Sequence, residues 1–369
     1  MQITHKRKIK GSRTGGYRDR LSVSDWPALV SQLILITCGL ALKSAKATLD
    51  RHNRQLPLYD DIVYQGMREY QCGLKATWIQ AVLPSTVTTC RRYAKKRGIS
   101  YTEIALEDGT TIVWLGPSSP TKVFVLFHGG GYMAPALSQQ VALTLGFAKD
   151  PPKDVAVVVL QYDLASEEAN HYPRQLCQAV SLMNYLLYSR SIHPASMTLF
   201  GDSAGGHLLL SLILHINHPN PRVPPLTVPD RLSGAVLISP WVDLQSTCDS
   251  IKTNQSRDIL SEAALAYWAR NFLADADRDP WNHPLSAPIE WWKEIPVDAI
   301  LLTYGDEECF RDDATKLAQV LQNSAANVRA VKCDGELHEH MIINRFLRIN
   351  KPCYSETVLL EWLAARVDR

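Results

Sequence analysis

The chain has 369 residues, 46% hydrophobic and 21% charged, with a formal net charge of +2. Such a composition belongs to a globular protein with a sizeable core, and so small a net charge gives no footing to nucleic-acid binding. Charge is unevenly spread: residues 1–100 hold 18 Lys and Arg against 6 Asp and Glu, the remainder 21 against 31.

Residues 1–20 are basic and polar and are expected to be disordered. "WPALVSQLILITCGLAL" (26–42) then runs 17 residues without a charge. Three readings fit it: a short membrane span, an interfacial helix on a membrane surface, or a soluble cap helix. A secretory signal fits less well, because the polar lead is long and no small-residue cleavage site follows. Residues 60–98 read as helical and close in "RRYAKKRG" (91–98), a solvated helix end or a patch for anionic lipid head groups. The chain thus divides into an N-terminal segment, 1–98, and a body, 99–369.

Strands are expected in the body at 101–106, 111–115, 122–127, 155–160, 197–200, 234–239, 298–304 and 328–333. Helices separate most of those after 127, which predicts a mainly parallel sheet, and the first two strands pair antiparallel around "EDGT". Between Trp241 and Trp292 the alternation breaks down. Trp241, Trp268, Trp281, Trp291 and Trp292 collect there, suited either to an apolar pocket or to ordinary core packing.

Two glycine-rich turns carry chemistry. "KVFVLFHGGGY" (122–132) ends an apolar strand in His128-Gly129-Gly130-Gly131-Tyr132, where glycines leave backbone N–H groups unobstructed. "MTLFGDSAGGHLLL" (197–210) places Ser203 between a strand and a helix in the pattern G-x-S-x-G. Small neighbours permit a strained turn that lifts the hydroxyl, and the helix aims its N-terminal amides at the same point. Downstream, "AILLTYGDEECFRDD" (299–313) supplies acids after a strand, and "GELHEH" (335–340) supplies histidines after the last strand.

These segments, with "YDLASEEANHYPRQL" (162–176) and "LISPWVD" (237–243), resemble the α/β-hydrolase superfamily, specifically its hormone-sensitive-lipase-like branch and its fungal steryl-acetate hydrolase-type members. The resemblance implies an α/β-hydrolase fold: a mainly parallel eight-stranded sheet, helices on both faces, and a helical cap built from the N-terminal helices and an insertion at about 241–292. It implies Ser203 as nucleophile, His338 as base, Glu308 as triad acid with Asp306 as the alternative, and an oxyanion hole from the amides of Gly129, Gly130 and Ala204. Tyr132, beside those glycines, is expected on the substrate pocket. The implied reaction is hydrolysis of a carboxylic ester through an acyl-enzyme. Its substrate would carry a short acyl group on an apolar alcohol, such as a sterol-like or secondary-metabolite scaffold. An acyltransferase with the same triad and a non-catalytic receptor on the same fold are the alternatives.

No cofactor or metal is expected, since no phosphate-binding glycine loop, H-E-x-x-H or zinc-spaced Cys/His pair occurs. Eight dispersed cysteines without a C-x-x-C pair read as reduced thiols, in keeping with an intracellular location, free or membrane-associated.

Overall fold

The computed structural model describes residues 21–49, 56–147, 152–324, 327–349 and 352–367. The expected disorder of residues 1–20 lies outside them. Eight strands form one sheet: β1 (Tyr101–Ala105), β2 (Thr111–Leu115), β3 (Lys122–Phe127), β4 (Val155–Gln161), β5 (Met197–Asp202), β6 (Gly234–Ile238), β7 (Ile300–Gly305) and β8 (Val328–Cys333). Their order is β1-β2-β4-β3-β5-β6-β7-β8. The pairs β1–β2 and β2–β4 are antiparallel and all others parallel.

The central strands are apolar on both sides because both sides are covered. Val123, Val125 and Phe127 of β3 face one core, Phe124 and Leu126 the other. Ala156, Val158 and Leu160 alternate with Val155, Val157 and Val159 in β4 in the same way.

Twelve α-helices are described: α1 (Asp25–Leu49), α2 (Leu58–Gly73), α3 (Ala76–Val82), α4 (Thr86–Arg97), α5 (Ser138–Leu143), α6 (Arg174–Asn184), α7 (Ala204–Asn217), α8 (Asp249–Asn254), α9 (Glu262–Leu273), α10 (Arg311–Ser324), α11 (His340–Phe346) and α12 (Tyr354–Val367). Leucines of α6, α7 and α10 fill the first core, and apolar residues of α4, α5, α11 and α12 the second.

The single helical stretch expected over 60–98 is three helices. Leu74 is extended (φ −113°, ψ 136°) after Gly73. Leu83 is extended (φ −87°, ψ 148°) because Pro84 follows it and disfavours helical backbone there. The expected insertion between β6 and β7 carries α8 and α9, and α9 packs on α2. Helix α1 lies on α2 and α3 through Leu29, Leu33 and Ile36.

Candidate active site

Ser203 joins β5 to α7 at φ 48° and ψ −117°, a strained backbone for a residue with a side chain. The turn is possible because nothing bulky flanks it. A Cβ on Gly205 would lie 1.9 Å from the Phe127 carbonyl oxygen, and one on Gly201 2.5 Å from that of Gly205. The serine is 5% exposed, and its Oγ lies 3.0 Å from His338 Nε2. His338 is buried, and burial pushes its imidazole down to about 3. The ring is therefore neutral near pH 7 and can accept the serine proton.

Glu308 is buried at the end of β7. Its Oε2 accepts from Ser239 Oγ (2.6 Å) and from the Gly305 N–H (3.0 Å). Burial pushes the carboxyl up to about 8, with these donors acting in the opposite sense. Its Oε1 and the Nδ1 of His338 each lack a hydrogen-bond partner, so the expected bond between acid and imidazole is not made in this geometry. Asp306 points elsewhere: its Oδ1 accepts from the Gly335 N–H at 2.7 Å.

The oxyanion loop differs from expectation at one glycine. The N–H of Gly129 donates to Asp202 Oδ2 at 3.0 Å, so it is already spent inside the protein. Among the described residues the amides of Gly130 and Gly131 have no such partner, and Ala204 opens α7 with an orphan N–H. His128 organises the loop. Its Nδ1–H donates to the Gly129 carbonyl (2.8 Å), its Nε2 meets Thr86 Oγ1 (3.2 Å), and burial pushes it down to about 4.

Tyr132, expected on the pocket, is instead fully buried in the core. Its ring stacks on Phe272 at 3.9 Å, and its hydroxyl donates to His207 Nδ1 at 2.6 Å, while His207 Nε2 faces the Asn282 carbonyl. The aromatic groups near the imidazole are others. Phe310 meets His338 edge-on at 4.9 Å, Trp241 stacks on Phe310 at 6.0 Å, and Trp268 abuts Trp241 at 6.5 Å. Trp268 also covers Gly131, where a Cβ would sit 2.5 Å from the indole.

Two features had no signal in the sequence. Asp258, fully buried before α9, takes the His338 N–H on Oδ1 (3.1 Å) and the Cys309 N–H on Oδ2 (2.7 Å). It therefore ties the histidine loop to the acid loop, and burial pushes its carboxyl up to about 6. Glu339, left-handed at φ 53°, lies against Asp202 under Gly129. A Cβ on that glycine would fall 2.4 Å from Asp202 Oδ2 and 2.7 Å from Glu339 Oε1. Among the described residues no cluster suited to a metal ion occurs, and all eight cysteines are free thiols.

Residues 124–342 match a family described by the alpha/beta hydrolase fold. An acetyl-hydrolase of Streptomyces hygroscopicus is 30% identical over 213 residues, 57% of this chain and 65% of that protein. Steryl acetyl hydrolase 1 of Saccharomyces cerevisiae is 22% identical over 231 residues, 59% of this chain and 52% of that protein. The chain thus spans less than two thirds of either relative's length. A solved esterase of the bacterial hormone-sensitive lipase family superposes with a TM-score of 0.61 at 21% identity, covering 85% of this chain and 100% of that one. By its matched residues, its sheet order and its serine turn, the chain belongs to the α/β-hydrolase fold family.

Proposed function

We propose that this protein is a carboxylic ester hydrolase that removes a short acyl group, acetyl foremost, from an apolar alcohol through an acyl-enzyme on Ser203. The observation that carries the reading is the 3.0 Å approach of Ser203 Oγ to a neutral His338 Nε2 at a strained strand-to-helix turn. In the proposed reaction Ser203 Oγ attacks the acyl carbon while Nε2 takes its proton. The oxyanion draws on the amides of Gly130, Gly131 and Ala204. Collapse expels the alcohol, which takes the proton back from Nε2, and water activated by the same nitrogen then releases the acid. Glu308 is the acid of the triad in this reading. In the same reading its unpartnered Oε1 and the unpartnered His338 Nδ1 come together once substrate is bound, as catalytic hydrogen bonds often do.

The acetyl preference draws on what the relatives are called and on the aromatic group of Trp241, Trp268 and Phe310 around a nearly closed serine. A sterol-like or secondary-metabolite alcohol fits such rings. Helix α1 is in the same reading the element that meets a membrane surface. Its stretch Asp25–Lys46 is long and apolar enough to cross a membrane, and Val30, Ile34, Leu35 and Leu42 are exposed.

The test is a series of p-nitrophenyl esters from acetate to palmitate. The expected order is highest kcat/KM at acetate, with Ser203→Ala lowering turnover by about 10⁶. A palmitate optimum rejects the acyl class, and an active Ser203→Ala rejects the nucleophile. Transfer to an added alcohol that outruns hydrolysis makes the protein an acyltransferase.

A further inference from the structure

The sequence of α4, TVTTCRRYAKKR, sets Thr89, Arg92, Tyr93 and Lys96 at helical spacing, so they share one face. That face opposes α5 and the end of α11 across a groove of about 700 Å³, well within the roughly 300–1,000 Å³ of small-molecule sites. Neither Ser203 nor His338 lines it.

Three properties of the groove coincide. Arg92, Lys96, Arg97, Arg345 and Arg348 line it, and no Asp or Glu does so among the described residues. Arg345 is occupied, pairing with Glu356 and lying over the Phe147 ring at 5.0 Å. Leu83, Ala142, Phe147 and Phe346 give the groove apolar walls. Finally, the hydroxyls of Thr89 and Tyr93 are buried without a hydrogen-bond partner, in residues each only 6% exposed. A buried hydroxyl left unpaired is destabilising, and a ligand oxygen would recover that loss.

Arg92 and Lys96, in a groove whose lining holds no carboxylate, select an anion, the walls select a hydrocarbon chain, and the two hydroxyls select an acceptor oxygen. We propose that this groove, distinct from the serine site, binds a single-chain amphiphile with a carboxylate head, of the long-chain fatty-acid type. The head accepts from the Tyr93 and Thr89 hydroxyls beside Arg92 and Lys96, and the chain lies along Leu83, Phe147 and Phe346. The groove also abuts the oxyanion loop. Ala136 lines it and donates its N–H to Thr86 Oγ1 (3.0 Å), which meets His128 Nε2 at 3.2 Å. A ligand here changes ester turnover without competing for Ser203.

The experiment titrates oleate, below its micelle concentration, into full-length protein whose serine has been blocked by a phosphonate. One saturable site is expected. Tyr93→Phe and Thr89→Val should each weaken it about tenfold, the loss expected for a hydrogen bond to a charged group. The exposed pair Arg92→Ala/Lys96→Ala should do so as well without risk to the core. Thermal unfolding of Tyr93→Phe should match or exceed that of the parent, because an unpaired hydroxyl has been removed. The assignment is overturned if blocked protein binds no oleate, if oleyl alcohol binds as well as oleate, or if the Arg92/Lys96 variant binds undiminished. It is also overturned if only phosphatidylserine vesicles are retained, since the groove then reads a membrane surface.

Discussion

Asp202 and Glu339 meet as two buried carboxyl groups beneath Gly129, one residue before the serine and one after the histidine. Burial raises both; the charge of Asp202 and its hydrogen bond raise Glu339 further, whereas the hydrogen bond from Glu339 acts to lower Asp202, so the pair shares a proton that sits on Glu339. One carboxylate is left to accept the Gly129 N–H and the Gln140 amide. The sign of the pH effect follows. An acid held above its ordinary value supports the fold fully below that value and loses the contribution as pH climbs through the raised one. Glu339→Gln supplies a permanent donor to Asp202. It should keep most of the ester turnover and flatten the alkaline loss of both activity and melting temperature. A steeper alkaline loss in the variant would refute the shared proton.

Glu308 and Asp306 separate cleanly by experiment. Glu308 is buried and pushed up to about 8, so its ionised form gains weight as pH rises through that value. If it supports the charged imidazole, kcat/KM should rise along a limb centred near pH 8 rather than near 6.5. Glu308→Gln should lower kcat by up to about 10⁴ and erase that limb. Asp306→Asn, which keeps an acceptor for the Gly335 N–H, should leave kcat within a few-fold. The reverse ranking would transfer the role to Asp306. Folded stability runs the other way: the contribution is full below the ordinary carboxyl value of 4.5, falls as pH climbs from there, and is gone once pH has passed about 8.

The serine turn tolerates no added carbon. Gly205→Ala would place a methyl 1.9 Å from the Phe127 carbonyl oxygen, a backbone atom that cannot step aside. Destabilisation of about 3 kcal/mol is expected, with loss of turnover. Gly98→Ala meets no atom within 4 Å but carries φ 66°, so it should cost only about 1 kcal/mol of backbone strain. Urea unfolding of the two variants compares clash with strain directly.

Helix α1 is tested by fractionation. Full-length protein should float with liposomes, and protein lacking residues 1–49 should remain behind. If both stay in the aqueous layer, the exposed apolar residues of α1 serve something other than a bilayer.

Much of the fold was legible because alternation and glycine turns are local signals. All eight strands lie where the apolar runs and turn residues place them, within one or two residues at their ends. Ser203 and His338 were legible from motif and order and do approach one another. The misses involve groups whose role depends on what folds onto them. Tyr132 sits beside the oxyanion glycines in sequence, yet φ 63° turns its ring into the core against Phe272. Gly129 looks equivalent to its neighbours until Asp202 claims its N–H. Asp258 lies in a stretch without period or motif, Glu339 is a position of GELHEH to which the motif gives no role, and only tertiary burial makes their carboxylates matter.

Asp258 has a further consequence through its own carbonyl, which accepts from the Arg68 guanidinium of α2. The peg that spaces acid from imidazole is thereby fastened to a helix some 190 positions upstream. A chain trimmed back to Tyr101 could still assemble its sheet, yet it would lose that fastening and set its two working loops adrift. Arg68→Met should consequently loosen both loops although every bond of the Asp258 carboxylate can still be made, whereas an Asp258 substitution leaves the carbonyl that Arg68 reaches in place.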